Sequence, residues 1–351
     1  MTSEMGGAAA SVDLEVTAFD GPDAEWDAFV ERTNATFCHL APWRRIVGDV
    51  LGHDCLYAVA RDASGAWEGV LPLVRVKSRV FGHFLISMPF LNYGGPAGAP
   101  GAQELLAAWA AGEARTSGAD LLELRSRTEF RSDLQLSHRK ITVVLDLPGT
   151  ASALWDAFPA KLRSQIRRPQ KEGMEVRFGA NEVLPFYEVY ARNMRDLGTP
   201  VLARAFFERL PAAFGDRVTF AVVYHRERPV AAGCGFEWRG EFEITWASSL
   251  RELNKLAPNM LLYWALIERM IARGIRAFNF GRCTPDGGTH RFKRQWGGVD
   301  VPLPWRTWSA RAEAAPPSPD RPIYQLAGRV WSRLPVGLAN RIGPPLARLL
   351  P

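Results

Sequence analysis

The sequence predicts a mixed α/β protein in which one supersecondary unit, with a largely antiparallel sheet, is used twice. Two observations carry this. Strand–turn–strand hairpins stand at residues 55–76 and again at 219–236. Each is preceded by a helical pattern and followed by a strand, a helix and a further strand in the same order. The two halves share little residue-level similarity, so the repeat rests on element order at a spacing of about 160 residues.

The elements follow in turn. Trp26, Phe29 and Val30, then Trp43, Ile46, Val47 and Val50, fall at helical spacing. Residues 55–60 and 69–76 are β-rich runs around a turn at 62–65. Strand 84–88, helix 103–116 and strand 120–124 complete the first unit, and strand 140–147 with Pro148 and Gly149 leads to the second. There, Phe186, Val189, Tyr190 and Met194 mark a helix. Strands 219–224 and 230–236 flank a turn at 225–228; strand 241–247, helix 259–272 and strand 275–280 follow. The expected boundaries are 12–147 and 148–309 for the two domains, 310–322 for a mobile Pro/Ala/Ser linker, and 323–351 for a basic amphipathic tail.

Composition narrows the function. With 47% hydrophobic and 23% charged residues the chain reads as globular, not disordered. A net charge of +6 suits phosphate-bearing or anionic-lipid partners. Cys38, Cys55, Cys234 and Cys283 form no Cys-x-x-Cys pair, and the six histidines, at 39, 53, 83, 138, 225 and 290, have no metal-ligand spacing. No disulfide framework and no metal are expected. The N-terminus lacks a secretory pattern and no apolar run approaches a membrane span, so the expected location is cytoplasmic.

Several segments could carry chemistry. Residues 281–297 join turn residues Gly281, Pro285, Gly287 and Gly288 to the cations Arg282, Arg291, Lys293 and Arg294 and the flat surface of Trp296. A loop of that kind after an apolar strand suits an anionic ligand; the alternative is a solvated basic loop. Arg163, Arg167 and Lys171 are spaced for one helix face, with Pro169 expected to bend or end the helix; they either bind phosphate or are simply solvated. Asn92 and Tyr93, before Gly94-Gly95-Pro96, stand at a pocket rim or in a structural turn. Residues 250–258 run into a helix start without the glycines that hold a CoA pyrophosphate, which argues against an ordinary CoA site in this half. His39 and Trp43 open a helix and are the best placed of the His-containing positions.

Taken together, these segments resemble the FemAB-related proteins of the GNAT acyltransferase superfamily, and more narrowly those associated with PEP-CTERM/exosortase systems and exopolysaccharide loci. The matching segments include residues 37–43, 69–73 with Lys77 and Ser78, 89–95, 162–168, 192–200, 259–264, 280–282 and 288–297, within about residues 20–308. The resemblance implies a tandem GNAT-like fold. It implies an acyl- or aminoacyltransferase that forms an amide on an amine of a cell-envelope precursor, with acyl-CoA or aminoacyl-tRNA as donor co-substrate. The better-known members use aminoacyl-tRNA, but the long heptad-patterned helical arm they use for tRNA has no counterpart here, which argues against that donor. The expected partner is an anionic envelope precursor, lipid-linked in the fullest form of the reading; no DNA partner is expected. Glu243, shortly before Trp246, is the expected base and Lys293 its catalytic companion. On their places in the matching segments, Asn193, Arg195, Asn259, Tyr263 and Thr289 join Trp246 as substrate-binding residues. Two other readings remain: a CoA-dependent N-acetyltransferase acting on an amino sugar, and a non-catalytic module that binds a polysaccharide precursor. In the tail, Ile323, Leu326, Val330, Trp331 and Leu334, then Leu338, Ile342 and Leu346, form an apolar face beside Arg329, Arg333, Arg341 and Arg348. That face either packs on the second half or makes peripheral contact with the inner face of the cell membrane.

Overall fold

The computed structural model describes residues 13–310 and 322–350. The linker expected at 310–322 therefore lies almost wholly outside the described residues. The first half holds β1 (Leu14–Ala18), α1 (Asp23–Arg32), α2 (Pro42–Arg45), β2 (Asp54–Asp62), β3 (Trp67–Ser78), β4 (Gly82–Ile86), β5 (Ala97–Gly98), α3 (Pro100–Thr116), β6 (Leu121–Leu124) and β7 (Gln135–Asp146). Then come α4 (Ala151–Ala157), α5 (Ala160–Lys171), β8 (Glu175–Phe178), α6 (Val183–Asp196), α7 (Arg204–Glu208), α8 (Leu210–Phe214), β9 (Val218–His225), β10 (Arg228–Trp238), β11 (Glu241–Ser249), α9 (Pro258–Ala272), β12 (Ala277–Cys283), α10 (Gly288–Arg294) and β13 (Val299–Ser309). The tail forms α11 (Pro322–Trp331) and α12 (Val336–Ala347).

Both expected hairpins form. The β2–β3 turn is held by Asp62, whose Oδ1 accepts from the amides of Ser64 and Ala66 and from the Ser64 hydroxyl. After each hairpin, a third antiparallel strand is followed by a helix and a strand parallel to it: β4 with β6, and β11 with β12. α3 shows why the sequence folds this way locally. Pro100 occupies its first turn, and its buried stripe of Ala102, Leu106, Ala107, Ala110 and Ala114 is mostly small, so the helix lies close on the sheet. At Gly69 of β3 an added Cβ would stand 2.7 Å from the Ala102 Cβ, so that contact requires glycine.

The strands make one sheet in the order β1-β2-β3-β4-β6-β13-β7-β12-β11-β10-β9-β8, with β5 beside β3. This order is a palindrome of the repeat, and its centre is an exchange. β7, at the end of the first half, crosses to pair with β12, while β13, at the end of the second half, pairs with β6. The two exchanged strands pair with each other from Val299↔Val144 to Thr307↔Gln135.

Two local expectations are corrected. α5 does not end at Pro169 but continues to Lys171, so the proline removes one amide donor within the helix without stopping it. The basic stretch read as a loop contains α10, which follows a compact turn with Asp286 at φ 63.

The tail packs on the body and touches both halves. Arg195 Nη1 of α6 donates to the carbonyls of Ser332 and Leu334. His53 Nε2 donates to the Arg348 carbonyl at 2.7 Å, and Arg348 Nη1 donates to the Leu51 carbonyl. Among the described residues no helix is long and apolar enough to cross a membrane.

Candidate active site at the fork of β11 and β12

β11 and β12 run parallel through Glu241↔Ala277, Phe242↔Phe278 and Glu243↔Asn279, and their pairing ends there. Glu243 and Asn279 therefore stand at the point where the strands separate. Glu241 and Glu243, two residues apart on one strand, point to the same face. Beyond the fork the chain turns sharply at Gly281, with φ 71, where an added Cβ would meet the Ile244 carbonyl oxygen at 2.7 Å.

The first half supplies the opposite wall. The loop after β4 brings Asn92 and Tyr93, and the segment after β6 brings Arg127. Together Thr36, Phe37, Tyr93, Arg127, Phe236, Trp238, Glu241 and Glu243 line a small cleft between the halves. Its walls are fixed by contacts across the halves. Phe37 stacks on Phe236 with centroids 4.6 Å apart, Trp238 Nε1 donates to the Ala35 carbonyl, and Arg239 Nη2 donates to the Glu31 carbonyl.

Glu243 is 2% exposed. Asn92 Nδ2 donates to its Oε1 at 2.7 Å, and Asn279 Nδ2 donates to its Oε2 at 3.3 Å. The Asn279 amide has one workable orientation. Its oxygen accepts from the Gly281 amide and the Thr142 hydroxyl, which turns its NH₂ toward Glu243, Glu241 Oε1 and the Tyr93 hydroxyl. Glu241 is in turn held by both terminal nitrogens of Arg127 at 2.7 and 2.5 Å. Burial raises the Glu243 pKa to about 7, and the bond from Asn92 and the charge of Arg127 only partly oppose that rise. A carboxyl titrating near neutrality at the base of a cleft can take up and release a proton under ordinary conditions.

Arg282 lies next to this carboxylate system. Its guanidinium carbon sits 5.0 Å from the Trp305 ring centre, and that of Arg125 sits 5.1 Å from the same ring. Arg125 is paired with Glu123, whereas among the described residues the Arg282 guanidinium has no hydrogen bond or ion pair. Burial, and then the charge of Arg125, pull its pKa down. A half-buried guanidinium that makes no hydrogen bond or ion pair among the described residues has donors to offer an anion.

The other expected site residues divide clearly. Lys293 is 4% exposed and not a surface cation. Its Nζ donates to the carbonyls of Gly281 and Arg282, tying down the turn that carries Arg282, and burial lowers its pKa to about 8. The expected cluster of four loop cations is dispersed, because α10 turns successive residues to different sides. Arg291 is exposed and bonded to the Asp286 carbonyl, and Arg294 is bonded to the Gly298 carbonyl beside Asp300.

Trp296, Tyr263 and Trp43 are packing residues, at 1%, 7% and 0% exposure, and the Trp43 indole donates to the Phe37 carbonyl. His39 also has no free edge for a ligand. Its Nδ1 accepts from the Thr36 amide, its Nε2 donates to the Gly95 carbonyl, and burial keeps it neutral by lowering its pKa. Arg195 serves the tail, and Asn193 donates to Ser248. Trp246 packs among Phe206, Phe207 and Phe236. Asn259 is half-buried in the first turn of α9, and Thr289 is exposed on α10. Arg163, Arg167 and Lys171 lie on α5, which packs on α9; Arg167 stacks over Trp155, and none of the three has an ion pair among the described residues.

Sequence reasoning missed Arg127, Glu241 and Asn279. The polar Asn279 inside the apolar run Phe278-Asn279-Phe280, and the two glutamates two apart on a strand, were the available signals. All four thiols have raised pKa values from burial, so none offers a thiolate nucleophile. Among the described residues no group of His, Cys, Asp and Glu could hold a metal ion. The start of α9 is a poor phosphate cradle, since Pro258 has no amide hydrogen and Glu252 nearby pairs with Arg192 and Arg228.

Comparison with known proteins gives a consistent picture. Residues 158–294 match the family described as Acetyltransferase (GNAT) domain. UDP-N-acetylmuramoylpentapeptide-lysine N(6)-alanyltransferase of Weissella viridescens is 27% identical over 137 residues, which are 36% of this chain and 40% of that protein. The match thus spans well under half the length of that relative. Among solved structures, FemX superimposes with a TM-score of 0.60 at 13% identity, covering 89% of this chain and 100% of FemX. The structure of L-PGS from Bacillus licheniformis gives a TM-score of 0.55 at 14% identity, covering 89% of this chain and 98% of that one. At such identities these two likenesses concern the fold.

Proposed function

We propose that this chain, a FemAB-related GNAT protein, is an acyltransferase that moves an acyl or aminoacyl group onto an amine of a cell-envelope precursor. The observation that carries the reading is Glu243, a buried carboxyl with a pKa of about 7 at the strand fork, beside the unpaired Arg282. An ammonium must lose a proton before it attacks an acyl carbon, and Glu243 is suited to accept it. The amine nitrogen forms the new C–N bond, the bond to the donor's oxygen or sulfur breaks, and the leaving group takes up a proton. Burial holds all four thiols protonated, so no cysteine carries the acyl group between donor and amine. Arg282 then holds a phosphate or carboxylate of donor or acceptor.

The Weissella relative acts, by its name, on N(6) of the lysine of UDP-N-acetylmuramoylpentapeptide, which supports a lysine-type amine as acceptor. Exopolysaccharide production is the other setting in which such an amine would be modified. A glycine-free, proline-started α9 argues against an acyl-CoA bound in the usual GNAT manner. The test is transfer of a radiolabelled acyl group to a UDP-linked muramoyl pentapeptide, with aminoacyl-tRNA and acetyl-CoA offered separately. Glu243→Gln should lower the rate by about 100-fold or more. Full activity in that variant, or no transfer from either donor, would refute the reading.

A further inference from the structure

The tail contradicts the usual rule for an amphipathic helix on a protein surface. In α12 the residues turned toward the body are small, namely Ala339, Gly343 and Ala347. They dock closely: an added Cβ at Gly343 would stand 3.2 Å from Val201, and one at Gly198 would stand 2.5 Å from the Gly328 carbonyl oxygen of α11. The large aliphatic residues point the other way. Leu338, Ile342 and Leu346, one helical turn apart, are 45%, 38% and 37% exposed; on α11, Leu326 and Val330 are 62% and 57% exposed. These five are half of the ten large hydrophobic residues exposed among the described residues, on a segment of 29. A row of aliphatics in water is a standing cost that the small-residue docking face does nothing to relieve.

The tail's own charges have one sign. Residues 321–351 contain no Asp or Glu, and Arg329, Arg333, Arg341 and Arg348 are all exposed. A second copy of the chain seated on this face would set these guanidiniums against their own counterparts. An anionic bilayer would receive both features, the aliphatics in its interface and the guanidiniums among its phosphates. At about 1.5 Å per residue, α11 and α12 are about 15 and 18 Å long, too short to cross a hydrocarbon core of about 30 Å but suited to lying flat on it.

We propose that the outward face of the α11–α12 hairpin docks the protein on an anionic phospholipid bilayer. The proposal rests on the tail alone and is independent of the chemistry at Glu243. One such face gives reversible, salt-sensitive attachment.

Flotation of the full chain with vesicles tests it. The protein should float with phosphatidylglycerol/phosphatidylcholine vesicles, stay behind with phosphatidylcholine alone, and be released as salt rises. The triple variant Leu338→Ser, Ile342→Ser, Leu346→Ser alters only exposed side chains, so its melting temperature should hold while vesicle binding falls about tenfold or more. A second variant, Arg329→Gln, Arg333→Gln, Arg341→Gln, should lose the preference for anionic vesicles. No flotation of the unmodified chain, or undiminished flotation of the serine variant, would overturn the proposal. So would a concentration-dependent dimer that the serine variant abolishes, since the face would then belong to a second copy. Transfer to a soluble acceptor should be unchanged in both variants, which separates failure of this proposal from failure of the acyl-transfer reading.

Discussion

Replacing Glu243 by glutamine tests the site without relying on any substrate. The amide matches the protonated acid in shape, so it stands in for the uncharged form of a side chain that is 2% exposed. In the unfolded chain this carboxyl titrates near 4.5, and in the folded protein near 7. The folded value is raised, so the native state is favoured fully below about 4.5 and loses that advantage as pH climbs through about 7. At 1.36 kcal/mol per pH unit, the interval corresponds to about 3 kcal/mol at alkaline pH. Glu243→Gln should therefore unfold in urea at nearly the wild-type midpoint at pH 4. It should become progressively more stable than wild type between pH 5 and 7, and hold a constant advantage of about 3 kcal/mol above pH 8. An advantage that does not change with pH would mean that burial does not perturb this carboxyl. The base role would then lose its support.

Other outcomes follow from the same geometry. Wild-type kcat/KM should rise about tenfold per pH unit up to about pH 7 and then level off, following ionisation of Glu243; a flat profile would exclude it as the base. Arg282→Ala should raise KM about tenfold or more while changing stability by under about 1 kcal/mol, as measured by steady-state kinetics and urea unfolding. Lys293→Met should instead cost about 2–3 kcal/mol of stability, because the Gly281 and Arg282 carbonyls lose their buried donor. If α5 contacts phosphates, substrate affinity should fall with salt, and the triple variant Arg163→Ala, Arg167→Ala, Lys171→Ala should flatten that slope; an unchanged slope removes α5 from the site.

The hairpins and the strand–helix–strand segments were legible because turn residues and apolar periods are local signals. α10 was not, since Gly287, Gly288 and the preceding proline read as an open loop, and only tertiary packing of Phe292 and Trp296 favours a helix there. Asn92, Tyr93 and Arg282 stand out in the sequence as polar or charged residues beside turn glycines after apolar runs, and Glu243 as a carboxylate on a strand. Arg127 was not, because its partner Glu241 lies 114 residues away and no local pattern announces such a pair. The burial of Lys293 was equally hidden, as nothing in a basic run distinguishes the one lysine that faces inward. In the tail the amphipathic period was read correctly, but which face meets the body depends on how closely Gly198 and Gly328 approach.

The exchange of β7 and β13 has a consequence for the order in which the protein can be made. During synthesis the first half emerges with β6 bare on one edge, because β13, its neighbour, lies some 180 residues downstream. β7 emerges early as well but must wait for β12 and β13. The nascent chain therefore carries an open strand edge until translation is nearly finished, and that edge is a template for pairing with another chain. A premature stop anywhere before residue 299 leaves the first half unfinished as well as the second, so a nearly complete chain is expected to be aggregation-prone rather than partly functional.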